Sequence, residues 1–93
     1  LLERDELASL ARIGAVGDVL CRFINAKGEV IDHPVNDRVV AVDPRDLVNA
    51  RKIVLASGGW HKFQAIHASM QLLRPHVLIT DESVAERLVE TPL

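Results

Sequence analysis

The stretch LASGGWHKFQAIHAS, Leu55 to Ser69, gathers much of the chain's candidate binding chemistry. An apolar run ends in Gly58 and Gly59, and the helical pattern that follows carries His61 and Lys62 in its first turn. Cations there lie against the positive end of the helix dipole, at a cost of roughly 0.3–1 kcal/mol for an exposed site. An anionic or hydroxyl-rich ligand would offset that cost, and so would plain solvation. Glycines without Cβ let a ligand approach the backbone and leave N–H groups free to point at it. The stretch is neither GxxxxGK[ST] nor GxGxxG, so taken alone it is more simply a tight strand-to-helix turn with a solvated Lys62.

A second candidate is Asp18 in GAVGD, a carboxylate expected at the start of a buried strand. Aspartate in such a turn either bonds nearby backbone, caps a neighbouring element, or accepts from a ligand. Its value lies in pairing with Lys62. A carboxylate offers only acceptors and an ammonium only donors, which suits a ligand carrying hydroxyls and a hydroxyl or phosphate oxygen.

Other reactive residues lack the company their chemistry requires. His33, His61, His67, His76 and Cys21 show no HExxH or CxxC spacing, and His61 and His67 share no helical face, so no metal site is expected. Cys21 falls inside an apolar run and reads as an inert core residue rather than a nucleophile. Asp81 and Glu82 before a helical pattern suit an N-terminal cap and first-turn acid. ELASLARIGAVGDVL resembles a helix-turn-helix only superficially, because Gly17-Asp18 and the β-branched run break the second helix.

These residues sit in 93 positions, enough for one domain or a piece of one with a limited core. A net charge of -2 and only three aromatics, Phe23, Trp60 and Phe63, exclude a basic, stacking nucleic-acid surface. No stretch approaches the roughly 18 apolar residues of a membrane span. A single cysteine excludes an internal disulfide and fits a reducing, cytoplasmic setting. The chain opens at LLERDELASLAR without methionine or a signal peptide, and is expected to be the end of a longer protein.

Leu2, Leu7, Leu10 and Ala11 predict a first helix closed by Ile13-Gly14. VLCRFI (19–24) predicts a strand, and NAKGEVI a turn into a second strand, together a hairpin. RVVAV (38–42) predicts another strand, and Asp43-Pro44 a short helix ending near Arg51, with Pro44 at its first position. KIVLAS (52–57), HKFQAIHASMQLL (61–73), HVLIT (76–80) and DESVAERLV (81–89) predict strand, helix, strand, helix, with the two strands parallel. Phe63, Ile66, Met70 and Leu73 would pack that helix on the sheet. Gly58-Gly59 and Thr80-Asp81 then face the same carboxyl edge, where open α/β sheets gather ligands, and Asp18 and Lys62 are expected to share a cleft there.

Three blocks in this order, GAVGDVLCRFINAKGEVI, LASGGWHKFQAIHAS and VLITDESVAERLV, resemble the carboxyl-terminal part of the effector-binding domain of SorC-type (DeoR/SorC) bacterial transcription regulators. The resemblance implies an α/β, Rossmann-like parallel sheet flanked by helices, present here as a partial domain and related to glucosamine-6-phosphate deaminase and ribose-5-phosphate isomerase. It implies sensing of a phosphorylated sugar without cofactor or turnover. DNA binding would belong to an absent amino-terminal helix-turn-helix domain, and the effector domain would form homo-oligomers. By the same resemblance Asp18 matches the residue that binds effector hydroxyls, Lys62 matches the effector-contacting lysine, and Gly58 and Gly59 form the adjoining turn. The family's upstream phosphate-binding loop is not among these residues, so a complete effector site is not expected.

Two other classes compete. A fragment of a sugar-phosphate isomerase or deaminase would share the fold, but no convincing general base other than Asp18 is present. A purely structural oligomerisation segment would expose apolar sheet surface seeking a partner.

Overall fold

The computed structural model describes residues 2–93; Leu1, the first residue of the predicted amino-terminal helix, lies outside them. That helix, α1, spans Arg4–Arg12 behind a capping box in which Glu3 and Glu6 each bond the other's backbone N–H. Of its predicted apolar stripe only Leu10 is buried, while Leu7 is half exposed.

The run VLCRFI is not one strand. It breaks into β1 (Ala15–Val19) and β2 (Arg22–Asn25), antiparallel, with Val19 paired to Arg22. Leu20 and Cys21 make the turn with φ 50° and 70°, the double positive φ of a type I′ hairpin. Asp18 therefore lies inside β1 as its one exposed residue, between half-buried Gly17 and buried Val19, rather than at the start of a buried strand, and Cys21 is an exposed turn residue rather than core. The predicted second strand in NAKGEVI contracts to one bridge, Ile24 to Val30.

After the hairpin, α2 (Pro34–Asp37) opens with His33 as N-cap, its Nδ1 accepting from Val35 N at 3.0 Å. The β-branched run RVVAV forms no strand. Arg22 instead donates to the carbonyls of Ala41 and Val42, which pins this segment as a loop and leaves Val40 wholly exposed. The helix predicted after Asp43 is a 3-10 helix over Pro44–Asn49, with Pro44 buried at its start. Asp43 caps it and pairs with Arg45, and those bonds pull its carboxyl down to about 2.

The last third follows the prediction closely. β3 (Val54–Ala56) and β4 (Val77–Ile79) pair in parallel, joined through α3 (Phe63–Leu73). α4 (Glu82–Glu90) follows β4. Both strands are trimmed at their ends, and at the start of α3 Trp60–Lys62 form a 3-10 turn and Lys62 becomes the N-cap residue. The parallel pair and the antiparallel hairpin are separate two-stranded sheets.

α3 joins them. Ile66, Ala68, Ser69 and Leu73 form its buried face, with Phe63 and Met70 only partly covered. Ala68 and Leu73 form one core with Val19 and Ile24 of the hairpin, and Leu55 of β3 packs against it. The approach is closest at Gly17, where a Cβ would stand 2.5 Å from Ala65 Cβ. No side chain fits between β1 and α3 there, which sets the β1 backbone directly against the helix that follows Lys62.

Candidate functional site

Asp18 and Lys62, 44 residues apart in the chain, line one cleft of about 460 Å³. The hairpin contributes Asp18 and Leu20, the carboxyl end of β3 contributes Ser57, and the start of α3 contributes His61 and Lys62. Gly17 and Ala65 meet along its wall. Among the described residues, neither the Asp18 carboxylate nor the Lys62 ammonium forms an ion pair. Both residues thus border one open space, and Asp18, beside its cross-strand partner Phe23, borders the depression on the other face of the hairpin as well.

The glycine turn works differently from expectation. Gly58 and Gly59 are not on the cleft wall, and the Gly59 N–H is not free for a ligand, because it donates to Asp81 Oδ2 at 2.6 Å. A Cβ on Gly58 would stand 2.9 Å from the same oxygen, and Gly59 has φ 105°, so both positions favour glycine. Asp81 also caps α4 through Val84 N at 2.9 Å. One carboxylate therefore ties the loop after β3 to the start of α4. It confirms that the two loops share an edge and gives Gly58-Gly59 a supporting task behind Lys62.

The bonds from Val84 N and Gly59 N hold the Asp81 carboxyl below its ordinary value. A group lowered in this way contributes stability above its unfolded value and loses it as pH falls through the folded one. Thermal midpoints measured from about pH 5 down to pH 2 are expected to fall more steeply for the wild type than for Asp81→Asn, whose neutral amide has no carboxyl to titrate. Parallel curves would contradict the clasp.

Three of the four histidines have structural partners. His33 bonds Ser9 Oγ at 3.1 Å as well as capping α2. His76 Nδ1 accepts from Ile53 N at 2.9 Å, and His67 Nε2 lies 3.1 Å from Pro92 O. His61 alone turns to the cleft. Among the described residues no group of three His, Cys, Asp or Glu side chains could hold a metal ion.

Two other depressions are chemically poorer. One of about 620 Å³ between α1, the hairpin and α2 shares Asp18, but its Glu6 and Arg38 are paired to each other and Glu3 serves the capping box. The other lies beside Trp60 and Arg87, whose guanidinium stands 5.5 Å from the indole and 5.1 Å from the Phe63 ring. Sequence reasoning missed Leu20 and Ser57 as cleft residues, and it placed His61 with Lys62 in the first turn without assigning it a binding role. Leu20 carried no signal, since its hairpin turn lacks glycine and asparagine; Ser57 and His61 flank the glycine pair within two residues.

The profile of the Sugar-bind family, described as "Putative sugar-binding domain", matches residues 1–90. The deoxyribonucleoside regulator of Bacillus subtilis (strain 168) is 35% identical over 85 residues, 91% of this chain and 27% of that protein. The crystal structure of a transcriptional regulator from Streptococcus pneumoniae TIGR4 matches with a TM-score of 0.86 at 26% identity, over 97% of this chain and 34% of that one. The full-length sorbitol operon regulator SorC from Klebsiella pneumoniae shares the fold, with a TM-score of 0.83 at 22% identity over 91% of this chain and 28% of that one. The chain thus spans about a third or less of the length of these relatives. A profile match running through nearly every residue, on a fold shared with such proteins, shows that the chain belongs to the sugar-binding domain family of SorC/DeoR-type transcription regulators.

Proposed function

We propose that the cleft is part of the effector site of a sugar-responsive transcription regulator and binds a phosphorylated sugar without converting it. Asp18 accepts hydrogen bonds from sugar hydroxyls, and Lys62 donates to a hydroxyl or phosphate oxygen. Gly58 and Gly59 shape the adjoining loop. The observation that carries this reading is the meeting of Asp18 and Lys62 on one cleft with neither engaged in an ion pair. The relative and the solved structures that the chain matches carry the names of transcription regulators, which favours binding over turnover even though His61 and Asp18 both border the cleft. On this reading the domain is a sensor rather than an enzyme and needs no cofactor.

Residues 1–93 serve as the carboxyl-terminal portion of the effector domain of a cytoplasmic regulator. DNA is contacted by a helix-turn-helix domain outside these residues, and the effector domain assembles as a homo-oligomer. The reading as an oligomerisation segment keeps one supporting observation: Val54, Val77 and Ile79 of the parallel pair are exposed, whereas parallel sheets are normally covered on both faces. Titrating the 93-residue chain with labelled operator DNA and with pentose and hexose phosphates tests the assignment. Expected are weak sugar-phosphate binding and no DNA binding above background, since a charge of -2 provides little counterion release. Tight, salt-sensitive DNA binding, or consumption of a sugar phosphate, would overturn it.

A further inference from the structure

The hairpin turn at Leu20-Cys21 breaks a local rule. Both residues hold positive φ, 50° and 70°, in a two-residue turn whose geometry favours Asn-Gly. A residue with a Cβ in the left-handed region costs roughly 1–2 kcal/mol. Neither side chain is recovering that cost in the core, because Leu20 is 46% exposed and Cys21 is exposed as well. The two differ in what they face. Leu20 lines the cleft with Asp18 and Lys62, whereas Cys21 faces the depression beside α1.

We propose that Leu20 is a specificity-determining residue of the effector cleft, an apolar wall held in a strained turn so that it covers the C–H face of a sugar phosphate. The inference rests on the cleft being the effector site. Asp18 and Lys62 meet the ligand's polar groups, while Leu20, at the hairpin tip, meets its carbon chain. A ligand with hydroxyls on one side and C–H groups on the other, such as a phosphorylated pentose or hexose, satisfies all three. A bare phosphate offers nothing to Leu20.

The strain provides the test, since relaxing the turn and deleting the wall have opposite effects. In the full-length regulator carrying this domain, Leu20→Asn and Cys21→Gly are both expected to raise the thermal midpoint, because each residue suits positive φ better. Calorimetric titration with ribose 5-phosphate and fructose 6-phosphate is expected to separate them. Leu20→Asn weakens binding of whichever sugar phosphate the wild type takes by about three- to tenfold, as expected for losing part of a buried leucine contact. Cys21→Gly binds as the wild type does, and Leu20→Met, which keeps an apolar wall, retains most of the affinity.

Leu20→Asn with a raised midpoint and unchanged affinity would overturn the role of Leu20. An equal loss in Cys21→Gly would overturn it too, since the effect would then belong to the turn. Failure of Leu20→Asn to raise the midpoint would remove the strain on which the inference stands. A wild type that binds neither sugar phosphate would contradict the effector site itself, separating that failure from a failure of Leu20.

Discussion

Asn36→Ala is expected to lower the free energy of unfolding by about 2–4 kcal/mol, a large change for a domain of this size. Asn36 is buried, and its side chain completes the outer edge of the hairpin. Its Oδ1 accepts from Phe23 N at 2.8 Å, while its Nδ2 donates to Phe23 O at 3.1 Å and to Ile31 O at 2.7 Å. The amide thus supplies the acceptor for Phe23 N–H and a second donor to Phe23 O, which already accepts from Ile31 N at 3.0 Å. Truncation leaves Phe23 N–H without that partner in a part-buried position, and an unsatisfied buried polar group costs about 1–3 kcal/mol.

Asn36→Asp tests the same geometry with the volume kept. The carboxylate can still accept from Phe23 N, but its second oxygen replaces a donor beside two carbonyl oxygens. Urea denaturation followed by circular dichroism is expected to rank wild type above both variants. Stability within about 0.5 kcal/mol of the wild type, the range of an ordinary surface change, would contradict this role. Asp18 is the cross-strand partner of Phe23, so Asn36 also supports the strand that carries the cleft carboxylate.

Nothing in the sequence announced Asn36, because its partners are backbone groups 13 and 5 residues away and backbone groups look alike at every position. His33-Pro34 did carry a usable signal, a capping side chain before a proline at the first helical position. The hairpin turn was hidden for another reason. Leu20 and Cys21 have none of the turn chemistry of asparagine or glycine, so VLCRFI reads as one continuous strand. In RVVAV, β-branched residues promised a strand, but strand propensity needs a partner. Arg22 takes the carbonyls of Ala41 and Val42 instead.

From Lys52 onward the pattern was legible because it was redundant. Short β-branched runs, a helical apolar face with Ile66 and Leu73 buried, and Asp81 as a cap all point to the same arrangement. The same redundancy put Lys62 at the carboxyl edge of β3, and the packing of Gly17 on Ala65 sets β1 beside the same cleft. The error lay in the Gly59 N–H. Its partner is Asp81, and a free amide cannot be told from a bonded one by spacing.

The second large effect concerns binding. Lys62→Ala in the full-length regulator is expected to weaken sugar-phosphate binding by about 10- to 100-fold, the equivalent of one hydrogen bond to a charged group at about 1.5–3 kcal/mol. Lys62 is exposed and makes no ion pair among the described residues, so its removal should leave the thermal midpoint within a degree or so of the wild type. Asp18→Asn keeps the shape of the side chain but removes its charge and one acceptor, and the same direction of change is expected.

The measurement that reaches the central claim most directly is a calorimetric titration of wild type, Lys62→Ala and Asp18→Asn with pentose and hexose phosphates, alongside their thermal midpoints. The account predicts saturable binding to the wild type, loss of affinity in both variants, and matching midpoints for all three proteins. Folded variants that bind the sugar phosphate as tightly as the wild type would contradict it.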